Sequence, residues 1–135
     1  MSDWNAKVIE EFRTNHGKVG GMFEGAPLLL LSTTGAKSGA TRVNPLMYLP
    51  VGDSVAIFAS KGGAPSHPDW FHNVKANPTV SVEIGDETFE AIATEVTGDE
   101  RDDLYGRQSA AYPQFAEYQA DNARRIPVVV IERAG

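Results

Sequence analysis

Two Gly-Asp pairs, Gly52-Asp53 and Gly85-Asp86, each separate runs of β-forming residues, and they constrain the fold more than any other feature of the chain. Such a pair suits the two-residue turn of a β-hairpin, whose backbone needs a positive φ that glycine adopts without strain. "TRVNPLMYL" leads into the first turn and "SVAIFAS" leaves it, while "TVSVEIGDETFEAIATEV" folds back on itself around the second. Leu28 to Thr33 reads as a buried strand ahead of them, and "IPVVVIER" as a final buried strand. Six strands joined largely by hairpins predict an α+β, mainly β chain, an antiparallel barrel with helices at its ends. A doubly wound parallel sheet does not fit that order.

Three helical segments punctuate the β pattern. Residues 3–16 place Trp4, Val8, Ile9 and Phe12 on one stripe, with Ser2 at the N-cap position and Gly17, Gly20 and Gly21 ending the segment. Such a stripe suits packing on a core, peripheral contact with a membrane, or covering an active site. "DWFHNVKAN" is a short helix opening at Pro68 and ended by Pro78. "GDERDDLYGRQSAAYPQFAEYQADNARR" is the third, broken or kinked at Pro113. With 135 residues and 41% hydrophobic content, the chain has apolar surface for one domain, 1–135, in which 1–26 form the N-terminal helix and Gly-rich linker.

The net charge of −6 offers no basic stripe for a nucleic acid, so none is expected as a partner. The chain has no cysteine, which removes disulfides and thiolate chemistry and fits a cytoplasmic setting. The N-terminal stretch has early acids and no apolar run of signal-peptide type, and "APLLLL" is too short to span a bilayer. His67 and His72 are five residues apart and do not stack on one helical face, so no metal is expected. No Gly-x-Ser-x-Gly elbow marks a hydrolase.

In an acidic chain, a local cluster of cations carries information. "STTGAKSGATRVNP" at 32–45 lacks the spacing and the strand-to-helix context of a nucleotide-triphosphate loop. Gly35 and Gly39 can still turn backbone N–H groups toward one point, while Lys37 and Arg42 bring charge. Ser32, Thr33, Thr34, Ser38 and Thr41 add hydroxyls. An ordinary solvated turn with two surface cations accounts for this stretch equally well. A second cluster, "ASKGGAPSHPDWFHN", puts Ser60 and Lys61 at a strand end ahead of a helix start, which favours anions. Together the two clusters suit a ligand with several negative charges.

"TTGAKSGATRVNPLMYL", "ASKGGAPSHPDWFHNVKANPTVSVEI" and "YPQFAEYQADNARRIPVVVIE" resemble, in order and interval, the deazaflavin-dependent nitroreductase family. The resemblance spans about residues 28–133 and implies a split β-barrel of the FMN-binding type. It also implies coenzyme F420, an 8-hydroxy-5-deazaflavin with a phosphodiester and an oligoglutamate tail. By the same resemblance Lys37, Ser38 and Arg42 lie along the anionic arm. Val43, Asn44, Pro45, Leu46 and Met47 line the deazaflavin side. Ala59, Ser60 and Lys61, with Asp69, Trp70, Phe71, His72 and Asn73, match further cofactor contacts. By their own chemistry Trp70 and Phe71 read more readily as core aromatics that anchor the short helix.

Tyr112, Tyr118 and Ser60 are candidate proton donors, and Tyr112, Phe115 and Tyr118, three apart, can share one face of the late helix. Phe115 and Met47 stand where some relatives differ, which bears on the acceptor. The expected activity is hydride transfer from reduced F420 to a quinone-like or nitro-aromatic small molecule, as a quinone reductase or nitroreductase. An FMN-dependent enzyme on a related barrel and a non-catalytic F420 carrier are the alternatives.

Overall fold

A computed structural model describes residues 3–19, 27–60, 66–122 and 125–134, with the side chains of residues 3–5 left aside. The elements run α1 (Asp3–Thr14), β1 (Leu28–Thr34), β2 (Thr41–Met47), β3 (Leu49–Val51), β4 (Ser54–Phe58) and α2 (Asp69–Ala76). They continue with β5 (Thr79–Ile84), β6 (Glu87–Val96), α3 (Gly98–Ala111), α4 (Gln114–Ala120) and β7 (Val128–Arg133). One seven-stranded sheet has the order β2-β1-β5-β6-β7-β4-β3, and every pairing is antiparallel. Its two edge strands, β2 and β3, are separated in sequence by Tyr48 alone. A sheet whose opposite edges are joined through one residue has to curl until they meet, so the sheet forms a barrel.

The stretch "TRVNPLMYL" therefore counts as two strands, giving seven where six were expected. Its extended pattern runs on through Tyr48 while its partner changes from β1 to β4, and nothing in the alternation marks that change. The late helix is likewise two, because Tyr112 is extended (φ −134, ψ 90) ahead of Pro113. Both Gly-Asp pairs form the expected turns, with Gly52 and Gly85 each at φ 59.

Strands covered on both faces read as unbroken apolar runs. Leu29 and Leu31 face the barrel interior with Ile57, Val80, Val82, Ala91, Ala93, Val129 and Ile131. Leu28 and Leu30 face outward under Val8, Ile9 and Phe12 of α1. On the far side Ala56, Phe58, Val128 and Val130 face outward beneath Leu104, Tyr105 and Phe115 of α3 and α4. On β6 the outward-facing Thr88, Glu90, Ile92 and Thr94 are exposed, and in β5 beside it the sequence alternates as "VSVEI". Trp70, Phe71 and Val74 of α2 plug one end of the barrel. Each such large apolar side chain contributes about 1.5–3 kcal/mol by burial.

The apolar stripe of α1 is thus used on the barrel, which leaves Val8, Ile9 and Phe12 unable to contact a membrane. Ser2, Gly20 and Gly21 lie outside the described residues, as does the Trp4 side chain. Arg13 Nε and Nη2 donate to the two carboxylate oxygens of Glu83 at 3.1 and 2.8 Å, and His16 meets Asp86. Gly17 (φ 93) fits closely against the second hairpin; a Cβ there would lie 2.7 Å from Gly85 Cα.

Arg101 fixes α3 and α4 to the start of β7. Its buried guanidinium donates to the Ile126 carbonyl through Nε (3.1 Å) and Nη2 (2.9 Å), reaches Gln119 and Asp102, and stacks over Tyr105. The Gln119 amide oxygen also accepts the Ile126 N–H at 2.9 Å. Arg125 closes the cluster through Asp102, and its hydrogen bond holds that carboxyl below its ordinary range. This link is complete at neutral pH and is lost as pH falls through the lowered value. Two turns on from Arg101, Gln108 is fully buried with no partner for either end of its amide among the described residues. Such a group costs about 1–3 kcal/mol. Arg101→Ala is expected to lower the unfolding free energy by about 2–4 kcal/mol, and Arg101→Lys to recover under half of it, because an ammonium cannot reproduce the fork. Urea titration of the two variants against wild type measures both.

Candidate functional site

The turn from β1 to β2 closes on itself. Gly35 N–H donates to Ala40 O (2.7 Å), Gly39 N–H to Gly35 O (3.0 Å), and Ala40 N–H to Ser38 Oγ (3.2 Å). Gly39 holds φ 72, which favours glycine there, and a Cβ on Gly35 would meet Ser38 Oγ at 2.7 Å and displace that hydroxyl from the turn. The glycine N–H groups are consumed by the turn. Those of Lys37 and Ser38 instead have no acceptor among the described residues.

Asn73 ties this turn to α2. Its Oδ1 accepts the Ala36 N–H (3.0 Å) and its Nδ2 donates to Thr33 Oγ1 (3.1 Å), with the whole side chain buried. Both halves of the amide are satisfied, and the turn is held in one place over the helix.

Between turn, β2 and α2 lies a cleft of about 1000 Å³ lined by Gly35, Ala36, Lys37, Ser38, Thr41, Arg42, Val43, Asn44, Asp69, His72 and Asn73. Lys37 and Arg42 are exposed and have no salt-bridge partner among the described residues, whereas most of the other described cations are paired. The cleft therefore joins two free cations, two free N–H groups and the hydroxyls of Ser38 and Thr41, an arrangement for an extended anion. Asp69 occupies the first turn of α2, where its carboxylate complements the helix dipole. That end of the cleft presents an acceptor for ligand hydroxyl or N–H groups, while Lys61, expected beside the helix start, lies outside the described residues.

The remaining sequence-derived candidates fall elsewhere. Ala59, Trp70 and Phe71 are buried in the barrel core, and Leu46 packs against it. Ser60 is buried and already engaged, and Lys61 lies outside the described residues. Pro45 sits on the edge strand β2, where a missing N–H is tolerated. Met47 touches both outer apolar layers. Tyr112 and Tyr118 lie partly buried at the margin of the layer under α3 and α4, on either side of the break at Pro113 and outside the cleft lining. Phe115 is buried between them, its ring edge-on to Tyr118 at 5.3 Å. Neither tyrosine hydroxyl has a partner among the described residues. Gln108 escaped the sequence reading, although its helical spacing from Arg101, Leu104 and Tyr105 puts all four on one face.

Comparison with known proteins settles which ligand class this frame serves. Residues 4–133 match the F420H(2)-dependent quinone reductase family. The chain belongs to that family. An F420H(2)-dependent quinone reductase of Mycobacterium tuberculosis (strain ATCC 25618 / H37Rv) is 39% identical over 128 residues, which cover 90% of this chain and 85% of the relative. A solved F420-H2 dependent reductase is 48% identical, covering 78% of this chain and 94% of its own, with a TM-score of 0.72. An FAD-binding protein from Mesorhizobium loti, 16% identical and covering 96% of this chain and 87% of its own at TM-score 0.56, shares the fold alone.

The reductase is thus an F420-dependent oxidoreductase on a split barrel, as expected. The donor set of its cleft fits the chemistry of such a cofactor. A phosphodiester followed by carboxylates needs distributed donors, and Lys37, Arg42 and the free N–H groups at 37 and 38 are the donors the cleft would offer. Asn73→Ala is expected to destabilise the reductase by about 1–3 kcal/mol, because Thr33 Oγ1 and the Ala36 N–H lose their partner. It is also expected to weaken F420 binding several-fold by loosening the turn. Urea unfolding and F420 fluorescence titration report the two effects separately.

Proposed function

We propose that the reductase transfers a hydride from reduced F420 to a quinone. Lys37, Ser38 and Arg42 hold the anionic arm, and Val43, Asn44, Pro45, Leu46 and Met47 carry the deazaflavin side. The observation that carries this reading is the run of β2. The strand begins in the anion cleft at Arg42 and Val43 and ends at Met47, which packs against the same apolar layer as Tyr112 and Tyr118. Four residues of strand span about 13 Å, so one edge strand joins a charged region to an apolar one fringed by hydroxyls. An elongated ligand with an anionic tail and a flat head matches that polarity.

When bound, reduced F420 supplies the hydride. The protein orients the reactants, limits water around them and supplies a proton. Quinone plus hydride plus proton gives hydroquinone, and the proton comes from Tyr112 or Tyr118. A phenol with an ordinary value of about 10 remains protonated at neutral pH and can hydrogen-bond a ring oxygen gaining electron density. Both tyrosines are partly exposed and regain their proton from solvent. Ser60, buried and engaged, holds local structure in this scheme. Trp70 and Phe71 position α2, and with it Asn73 and the turn, rather than touching the cofactor. Nitro-aromatic compounds are further acceptors for the same site, and a cytoplasmic location suits a cysteine-free chain.

Lys37→Ala and Arg42→Ala are each expected to weaken F420 roughly tenfold or more, the worth of one charge-assisted hydrogen bond. Rising salt is expected to weaken wild-type binding and to affect the variants less. Fluorescence titration with F420, and with FMN in parallel, tests this, and binding of FMN alone sinks the cofactor assignment. Tyr112→Phe is expected to lower kcat about a hundredfold at unchanged F420 affinity if it delivers the proton. An unchanged kcat transfers that role to Tyr118.

A further inference from the structure

The layer beneath α3 and α4 contains one polar group that nothing around it satisfies. Gln108 has no exposed surface, and neither its Nε2 nor its Oε1 has a hydrogen-bond partner among the described residues. Its polar neighbours on α3 are committed elsewhere. Arg101 is spent on Ile126, Gln119 and Asp102; Tyr105 donates its hydroxyl to Phe115 O at 2.7 Å; and Ser109 donates to Tyr105 O at 2.9 Å. Gln108 shares the buried face of α3 with Leu104 and Tyr105, and the layer which that face meets is aromatic, with Phe58, Tyr105 and Phe115 edge to face. It reaches the surface where Tyr112, Tyr118, Met47 and Leu49 are partly exposed. The uncommitted hydroxyls of Tyr112 and Tyr118 stand at that margin, and α3 ends there in an extended residue.

We infer that Gln108 is a specificity-determining residue for the electron acceptor, its amide binding one ring oxygen of a quinone admitted at the Tyr112 margin. The inference rests on the quinone reading above. An amide suits the task because it is neutral and carries both roles. Nε2 donates to the carbonyl of the quinone, and Oε1 accepts from the hydroxyl of the hydroquinone, so one side chain serves the acceptor before and after reduction. An aromatic, otherwise apolar layer with one ambivalent polar group is the usual form of a site for a flat oxygenated ring. Leucine of similar volume would fill the same place without burying an unpaired amide, so packing alone gives no reason for glutamine at 108.

The test compares wild type with Gln108→Leu and Gln108→Met, using 1,4-naphthoquinone as the probe; the chain has no cysteine for it to alkylate. Thermal midpoint, F420 affinity and steady-state kinetics are measured for all three. The wild-type Gln108 side-chain amide signal, assigned by through-bond correlation, is followed by NMR as naphthoquinone is added to cofactor-free protein. The expected result has four parts: a midpoint equal to or above wild type, unchanged F420 affinity, a KM for naphthoquinone raised roughly tenfold, and a shifted wild-type amide signal. Unchanged KM in a folded variant overturns the inference, and a lowered midpoint with unchanged KM makes Gln108 structural. If both variants fail to fold, an amide signal indifferent to naphthoquinone overturns it by itself. A wild type that binds F420 but reduces no quinone defeats the proposed function instead, and the amide signal still decides whether Gln108 binds the ring.

Discussion

Closure of the barrel through Tyr48 is the constraint on which the rest of the structure depends. Because β2 and β3 are consecutive in sequence but lie at opposite edges of the sheet, β1 to β4 form one arc of the wall and β5 to β7 complete the circuit around the interior core. That circuit leaves three places for helices. The outer face of β1 and β2 takes α1, the outer face of β4 and β7 takes α3 and α4, and one open end takes α2. The cleft follows from the same geometry. The turn entering β2 and the helix plugging the barrel arrive side by side, and Asn73 joins them with two hydrogen bonds. Loosening that joint lowers stability and disperses the donors at Lys37, Ser38 and Arg42 together, so the ligand site and the fold share a cause.

Charge separates the cleft from the rest of an acidic surface. Arg13, Lys75, Arg101, Arg107, Arg125 and Arg133 are each bound to a carboxylate, and these pairs fasten α1 to β5, α2 to β6, α3 to the start of β7, and β6 to β7. Exposed pairs of this kind contribute little to stability. Their larger effect is to leave few cations free, so that among the described residues Lys37 and Arg42 stand uncompensated in one cleft. An anionic ligand meets little competition from the protein's own cations and is steered there against a net charge of −6.

Much of the fold was legible because local chemistry decided it. Gly52-Asp53 and Gly85-Asp86 could do little but turn, and the change from the unbroken "LLLL" of β1 to the alternation of β5 records which strands carry a helix. What stayed hidden was long-range. No residue announces that β2 becomes β3 at Tyr48, because the partner changes while the backbone remains extended. The site divided in the same way. Lys37 and Arg42 stood out as cations in an acidic chain, and their place in the cleft follows from their turn. Trp70 and Phe71 could not be separated from cofactor contacts by sequence alone, since aromatic side chains serve both; only the position of α2 against the barrel sends them inward. Asp69 and Asn73, three and seven residues after Ser66, looked alike as polar helix residues. One is exposed in the cleft and the other is buried as a clamp, a difference set by which face of α2 meets the turn.

The two buried amides show how stability and function divide in this molecule. Asn73 is satisfied on both sides and converts a flexible glycine turn into a fixed one, so its polarity contributes to the fold. Gln108 is buried more deeply, has no partner among the described residues, and shares its face of α3 with Leu104 and Tyr105, whose apolar layer gains nothing from an amide. A core tolerates such a group only where something offsets its desolvation, and α3 has spent its other polar side chains elsewhere. Arg101 is the informative neighbour. It anchors the same helix by satisfying the carbonyl of Ile126 and the amide of Gln119, which leaves α3 rigidly held on one side of Gln108. On the other side, α3 ends at the extended residue Tyr112 and the short α4 follows the break at Pro113. An anchored helix that carries a buried, unpaired amide beside such a break holds a polar group that the fold itself leaves unanswered, and an incoming oxygen donor or acceptor is what would answer it.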